Sequence, residues 1–277
     1  MKRVKSFSET AAVYLFAGLT ALVGIVSLGV FGRFLSETRL GLIGLGMRPA
    51  AALVWDAVLC LIFFVQHSGM VRRSFRRWSE RWIPGYLHGA LYTFASAAAL
   101  VLLCALWQPA DPAPLILGGA VREVFRGLSL LAVLGFVWAL VSLGAFDAFG
   151  TGALLARFRR RDLAPPRLAA KGPYRWVRHP FYFLAIVLLW ASPLVSKDRL
   201  LLNVLFTIWI VLGARWEERD LTAAFGDAYR LHQREVPMLI PWRLPTKAEW
   251  KPAAQAGIDG RKTGFITPYP PSPIARE

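Results

Sequence analysis

Five side chains able to grip an amino acid fall into two groups in this sequence. Arg178, His179 and Tyr182 stand in RHPFY, at the mouth of an apolar run, and Glu217 and Glu218 stand in RWEERDL. Pro180 fits the first position of a helix, where its missing N–H costs nothing and its fixed φ is already helical. His179 is then the N-cap, and the free N–H groups of the first turn attract carboxylates and other anions. Tyr182, three residues on, shares that face. Tyr174, Arg175 and Arg178 add donors just upstream. Cations and N–H donors on one side and two carboxylates on the other suit a zwitterionic amino acid: its carboxylate at the helix start, its ammonium on a glutamate. The competing reading is a pair of interfacial ion pairs that merely anchor helix ends.

The two groups must be carried to one place. From Pro180 to Val195 a helix spans about 24 Å. SKD reverses the chain, and Leu200 to Arg215 returns over a similar length. A helical hairpin therefore delivers Glu217 and Glu218 to the membrane face that holds Arg178, His179 and Tyr182.

The whole composition supports a membrane setting. Of the 277 residues 56% are hydrophobic and the mean hydropathy is +0.44, above the usual range for soluble domains. Six spans are expected: Thr10 to Phe31, Ala50 to Val65, Leu87 to Trp107, Val124 to Phe146, Phe181 to Val195 and Leu200 to Arg215. The first follows Lys2, Arg3 and Lys5 as a signal peptide would, but its apolar stretch is too long for one, so an uncleaved helix is the reading. With both termini cytoplasmic, 26 of the 33 Lys and Arg residues fall on the inner side, as membrane orientation requires. That distribution accounts for the net charge of +16 and argues against a nucleic-acid partner. No internal repeat or pair of broken helices suggests a transporter. Cys60 and Cys104 lie in apolar stretches and offer no disulfide framework or metal spacing, and no metal site is expected. The fold class expected is an all-α integral-membrane bundle of about six transmembrane helices with a C-terminal helical hairpin, which becomes the cofactor-binding hairpin of a catalytic core, 147–242, if the resemblance described next holds. Residues 1–146 would form its N-terminal helices, and 243–277 a Pro-rich tail expected to be disordered.

RHPFY, a hydrophobic hairpin and then EE resembles the signature of the isoprenylcysteine carboxyl methyltransferase and phospholipid methyltransferase superfamily. LTAAFGDAYRLHQREVPMLIP is similar to that superfamily's C-terminal segment. FVQHSGMVRRSFRRW and AFDAFG resemble its NnrU-like and methanethiol S-methyltransferase branch, so the likeness runs from about Asp56 to Trp242. It implies an integral-membrane enzyme using S-adenosylmethionine, with a small thiol as acceptor in the methanethiol branch. It also implies cofactor roles for His179 and Tyr182, with Glu218 on the ammonium. Gly172, Tyr174 and Pro180 would shape the pocket, while Arg178 and Glu217 would face the acceptor or fix the hairpin. Three departures stand out. Phe183 and Leu184 replace a glycine usual after the signature tyrosine, His232 replaces a tyrosine, and LVSLGA lacks the polar residues often found before FD.

A thiol acceptor must become a thiolate, which adjacent positive charge favours. Arg178, Arg175 or the arginines after His67 could supply that field. Gln66 and His67 end the second span on the inner side and are candidates for the acceptor entrance, or simply polar caps of the span. Asp147 is a third acceptor-side candidate, or a turn residue. Asp56 reads best as a structural partner inside its span, and His88 as structural. RRSFRRWSER, with Phe75, Trp78 and Trp82, reads as an interfacial segment contacting anionic lipid. Two other functions stay open: a methyltransferase acting on a lipid-borne acceptor, such as a prenylcysteine carboxylate, a phospholipid amine or an isoprenoid, and a non-catalytic NnrU-like protein. The oligomeric state is not legible.

Overall fold

The computed structural model describes residues 7–36, 41–111, 113–144, 147–161 and 171–245. The expected Pro-rich tail and Phe146 lie outside them, apart from the first three residues of the tail. The described chain is nine helices and one short two-stranded ribbon. These are α1 (Phe7–Ser36), α2 (Pro49–Val71), α3 (Arg73–Ser79), α4 (His88–Leu106), β1 (Leu115–Ile116), α5 (Gly119–Leu143), α6 (Gly152–Arg159), α7 (Pro180–Trp190), β2 (Leu194–Val195), α8 (Lys197–Phe225) and α9 (Asp227–Glu235). Five segments are long and apolar enough to cross a membrane: Thr10–Ser36, Pro49–Val71, Gly85–Leu106, Gly119–Leu143 and Lys197–Phe225. Their outward faces carry large apolar side chains such as Leu15, Val65, Leu131 and Val141, as contact with hydrocarbon demands.

The fifth expected span takes a different form. The helix α7 stops after 11 residues at Trp190, a rise of about 16 Å, half of a hydrocarbon core. The chain then turns at Ala191, where Ser192 N–H donates to Trp190 O at 2.9 Å, and enters the two-residue strand β2. This segment is not left with bare polar groups: β2 pairs antiparallel with β1, Leu117 N–H donates to Pro193 O at 3.0 Å, and Ser129 Oγ donates to Ala191 O at 2.9 Å. Backbone in lipid needs such partners. The ribbon ties the α4–α5 connection to the α7–α8 turn at one end of the bundle. The same end is stitched by buried polar groups. Asp56 Oδ1 accepts from Gln108 N–H at 2.9 Å, the structural task expected of it. Arg199 donates to the carbonyls of Leu35 at 2.8 Å and Leu189 at 3.2 Å.

Packing within lipid rests on close approach rather than on water exclusion. Small buried residues, Ala17, Thr20 and Ser27 on α1 and Ala90 and Ala97 on α4, let those two helices lie against each other. Phe63, Leu103, Trp107, Leu189, Leu202 and Phe206 fill the centre between α2, α4, α7 and α8. Cys60 and Cys104 are buried and unpaired. The fourth span ends three residues earlier than expected, because Gly144 adopts φ +68° and stops α5. The last one runs ten residues further than expected, to Phe225. That extension places Glu217 and Glu218 on α8 itself.

Candidate active site

At the end of the bundle opposite the ribbon, the hairpin brings RHPFY and EE together. Pro180 opens α7 and His179 caps it. The first-turn N–H groups have no upstream helical carbonyl to bond. Gly172 holds φ +55°, and a Cβ there would lie 2.2 Å from Ser142 Oγ on α5. Only glycine lets the 172–175 turn sit this close to α5, and that turn aims Tyr174 at the site.

Glu217 and Glu218 are consecutive on a helix and so point about 100° apart. Glu218 faces inward and is saturated. Its Oε1 accepts from Arg178 Nε at 2.9 Å, His179 Nε2 at 2.6 Å and Tyr229 Oη at 2.7 Å. Its Oε2 accepts from Arg178 Nη2 at 2.8 Å and Gln233 Nε2 at 2.6 Å. Arg178 is equally committed: Nη1 donates to the carbonyls of Gln233 and Val236. The backbone N–H groups of Arg178 and His179 bind Pro237 O at 2.9 Å and Met238 O at 3.1 Å. Residues 178–179, α8, α9 and the 236–238 strand of chain are thus closed into one clasp around a buried carboxylate. The bidentate arginine pair is the strong form of such a contact.

Glu217 is different. It is half-buried, lies 3.6 Å from His179 Nδ1 and takes the Tyr182 hydroxyl. Tyr182 stacks on His179 with ring centroids 5.5 Å apart. Nearby, the buried Tyr174 hydroxyl has no hydrogen-bond partner. Burial, and then the Glu217 charge, push its ionisation above the usual tyrosine range, so it stays a donor. An unpartnered buried donor beside a half-open carboxylate is a place for a polar ligand. The residues present therefore fit a zwitterionic group. The role expected of Glu218, holding an ammonium, meets a carboxylate whose oxygens are already filled by protein donors. Arg178, expected at the acceptor or the hairpin, is turned into the clasp.

The acceptor-side candidates divide. His67 and Gln66 lie on α2 beside α4. Tyr92 Oη is 2.7 Å from His67 Nε2, and Gln66 Nε2 donates to Ser96 Oγ at 3.3 Å. Tyr92 in turn interacts with Tyr182, which links this pair to the hairpin. Asp147 does not join them. Its carboxylate accepts from the N–H groups of Thr151 at 2.9 Å and Gly152 at 2.7 Å, capping the start of α6. His88 is structural, bonded to Ser79 Oγ at 3.2 Å and Met70 O at 3.0 Å. Arg72 lies over the Trp216 ring, 5.1 Å from its centroid, and holds the end of α2 against α8.

Four participants carried no assigned role in the sequence. Tyr229, His232 and Gln233 share one face of α9 at i, i+3 and i+4 spacing, and Tyr92 sits one turn from Ser96 on α4. Those spacings were a usable signal. Tyr229, buried and bonded to Glu218, is held above its usual ionisation range by burial and then by that bond. His232 is buried beside it, and burial with the nearby Arg178 pushes its pKa down to about 4.

Comparison with known proteins decides the family. The sequence profile of the phospholipid methyltransferase family matches residues 124–228. A methanethiol S-methyltransferase from a Pseudomonas species is 37% identical over 84% of this chain and 89% of its own length. Another, from Mycobacterium tuberculosis, is 35% identical over 69% of this chain and 79% of its own. The chain belongs to this family of membrane methyltransferases. Nurim from rat is also similar, 31% identical over 62% of this chain and 68% of its own length. No solved structure matches.

The residues that depart from the expected signature have a physical place. Leu184 seats itself in a hollow of α5: a Cβ on Gly135 would lie 2.6 Å from Leu184 Cδ2. The small residue stands on the facing helix, so α7 keeps its close approach to α5. His232 packs on Tyr229 with ring centroids 6.0 Å apart and completes the wall of the clasp.

Proposed function

We propose that this membrane methyltransferase uses S-adenosylmethionine and transfers its methyl group to a small thiol. The reading is carried by one observation: the buried, unpartnered Tyr174 hydroxyl beside Glu217, at the mouth of the α7 N-terminus. S-adenosylmethionine supplies an electrophilic methyl on a sulfonium when bound. The chain supplies positioning and dryness. The α7 first turn and Tyr174 take the cofactor's carboxylate, and Glu217 takes its ammonium, with His179 and Tyr182 holding that carboxylate in place. Glu218 and Arg178 keep the hairpin closed on the site. Pro180 and Gly172 set the backbone geometry. The relatives named methanethiol S-methyltransferase support a small thiol as acceptor. An apolar sulfide product leaves through lipid. The site draws on both halves of the chain, the N-terminal helices 1–146 and the core 147–242. The Lys and Arg distribution supports a cytoplasmic location for this end of the bundle and for both termini.

The phospholipid methyltransferase profile favours one second reading, a lipid-borne acceptor. The test is direct. Purified protein is incubated with methyl-labelled S-adenosylmethionine and either methanethiol or a phosphatidylethanolamine vesicle. Label in volatile dimethyl sulfide supports the thiol reading. Label in the lipid supports the second, and label in neither contradicts both.

A further inference from the structure

A thiol carries a proton that must leave before its sulfur attacks. Two of the expected sources of a thiolate-stabilising field are engaged elsewhere: Arg178 is closed on Glu218 and on two backbone carbonyls, and Arg72 lies on Trp216. A cation stabilises a thiolate but does not take up the proton, which needs a base. From the geometry we infer that His67 accepts the thiol proton and Tyr92 positions its ring. This rests on the thiol reading above.

The observations converge on that pair. His67 lies near the inner end of α2, half-buried in an aromatic wall made by Phe63, Tyr92 and Trp209, with ring centroids 5.3, 5.0 and 5.2 Å away. Trp209 is itself fixed by its bond to Ser68 Oγ at 2.9 Å. The described groups that face the imidazole with an ionisable proton are Tyr92 from α4 and, through it, Tyr182 from α7; α8 presents Trp209. Tyr92 Oη lies 2.7 Å from Nε2 and 3.1 Å from Nδ1; with Nε2–H donating to the Tyr92 oxygen, Nδ1 keeps the free lone pair a base needs. Tyr182 packs against the same core cluster as Phe63 and Trp209 and stacks on His179, which puts the imidazole on the hairpin's side of the core. Beside it, the buried Gln66 Oε1 has no partner and can accept the S–H while the thiol is still protonated.

The step balances. The S–H bond breaks and its proton moves to the neutral imidazole, giving imidazolium and thiolate. The thiolate electron pair forms the new S–C bond as the methyl leaves the sulfonium, whose electrons return to sulfur as a thioether. His67 then gives its proton to water at the end of α2. Positioned bases of this kind contribute about 10²–10⁴-fold in rate.

The test compares wild type, His67→Gln and Tyr92→Phe with two thiols of different acidity, methanethiol and 2,2,2-trifluoroethanethiol, with calorimetric titration of S-adenosylmethionine alongside. Glutamine keeps an N–H donor for the Tyr92 oxygen, so the fold and the cofactor affinity stay. The expected result is a loss of about 100-fold or more with methanethiol for His67→Gln, and less than about tenfold with the acidic thiol, which is largely ionised in mildly alkaline buffer. With methanethiol alone, the rate of the variant rises in proportion to the thiolate fraction as pH is raised, more steeply than wild type. Tyr92→Phe shows the same pattern more weakly. Equal losses with both thiols and no steeper pH profile make His67 structural and overturn the inference, as does wild-type activity in the variant. Wild type inert towards methanethiol overturns the thiol reading and this role together.

Discussion

Glu217 and Glu218 are adjacent on α8 and point about 100° apart, so they do different work. Glu218 turns into the protein and accepts five hydrogen bonds. Glu217 stays half-open beside His179, Tyr182 and Tyr174. Their substitutions should therefore separate stability from binding. Glu218→Ala strands Arg178 in a buried site and is expected to cost about 3–5 kcal/mol, read as a large drop in Tm in detergent. Glu217→Gln, at a half-exposed position, should change stability by less than about 0.5 kcal/mol. His232 gives a pH prediction. Its pKa falls from 6.5 unfolded to about 4 in the folded protein, so the folded state binds fewer protons. Its stabilising contribution is fully present above pH 6.5 and is lost as pH falls towards 4, about 3 kcal/mol in all. Thermal unfolding across that window should show a steeper fall in wild type than in His232→Gln; identical slopes would contradict the assignment. At this scale the sequence announced the participants RHPFY and EE, because charged residues beside an apolar run are visible in one dimension. It did not announce which glutamate is filled. That depends on Tyr229 and Gln233, which α9 brings back from beyond the hairpin.

The elements explain why the hairpin can be so short on one side. The helix α7 covers only about half of a crossing, and the chain after it turns into β2, with β1 and Ser129 meeting its backbone groups. The sequence showed an apolar run ending early at Ser-Pro, and the hairpin itself was legible from its two apolar arms. The ribbon was not, since two residues of strand leave no periodicity to read. Nor was the extension of α8 past Arg215, where charged residues hide a helix that has left the apolar layer. The contact between α5 and α7 was legible only as a missing glycine after Tyr182, and the structure finds the compensating hollow at Gly135. Gly135→Leu should overpack that contact and cost about 1–3 kcal/mol. The double variant Gly135→Leu/Leu184→Gly should recover most of that loss in the same unfolding assay. Additive losses would show that the two residues do not share a contact.

Over the whole molecule, the ribbon end and the clasp end lie at opposite ends of the bundle, and the proposed orientation, with the clasp on the inner side, is open to a labelling test. Cys60 and Cys104 are buried, so an added surface cysteine reports alone. In right-side-out vesicles an impermeant maleimide should label Lys197→Cys and should label Asp227→Cys only after the membrane is opened; the reverse pattern would invert the orientation. The membrane class followed from composition, which reads without any structure. The joining of α2, α4 and α8 did not, because contacts such as His67 with Tyr92 and Trp209 with Ser68 cross long stretches of chain that carry no shared local pattern.

The account stands or falls on whether this end of the hairpin binds S-adenosylmethionine through Glu217. Calorimetric titration of the cofactor into the purified protein and into Glu217→Gln tests it most directly. The predicted result is binding to wild type with Kd raised about 10–100-fold in the folded variant, the loss of one charge-assisted contact. No binding to wild type, or equal affinity in the two proteins, would contradict it.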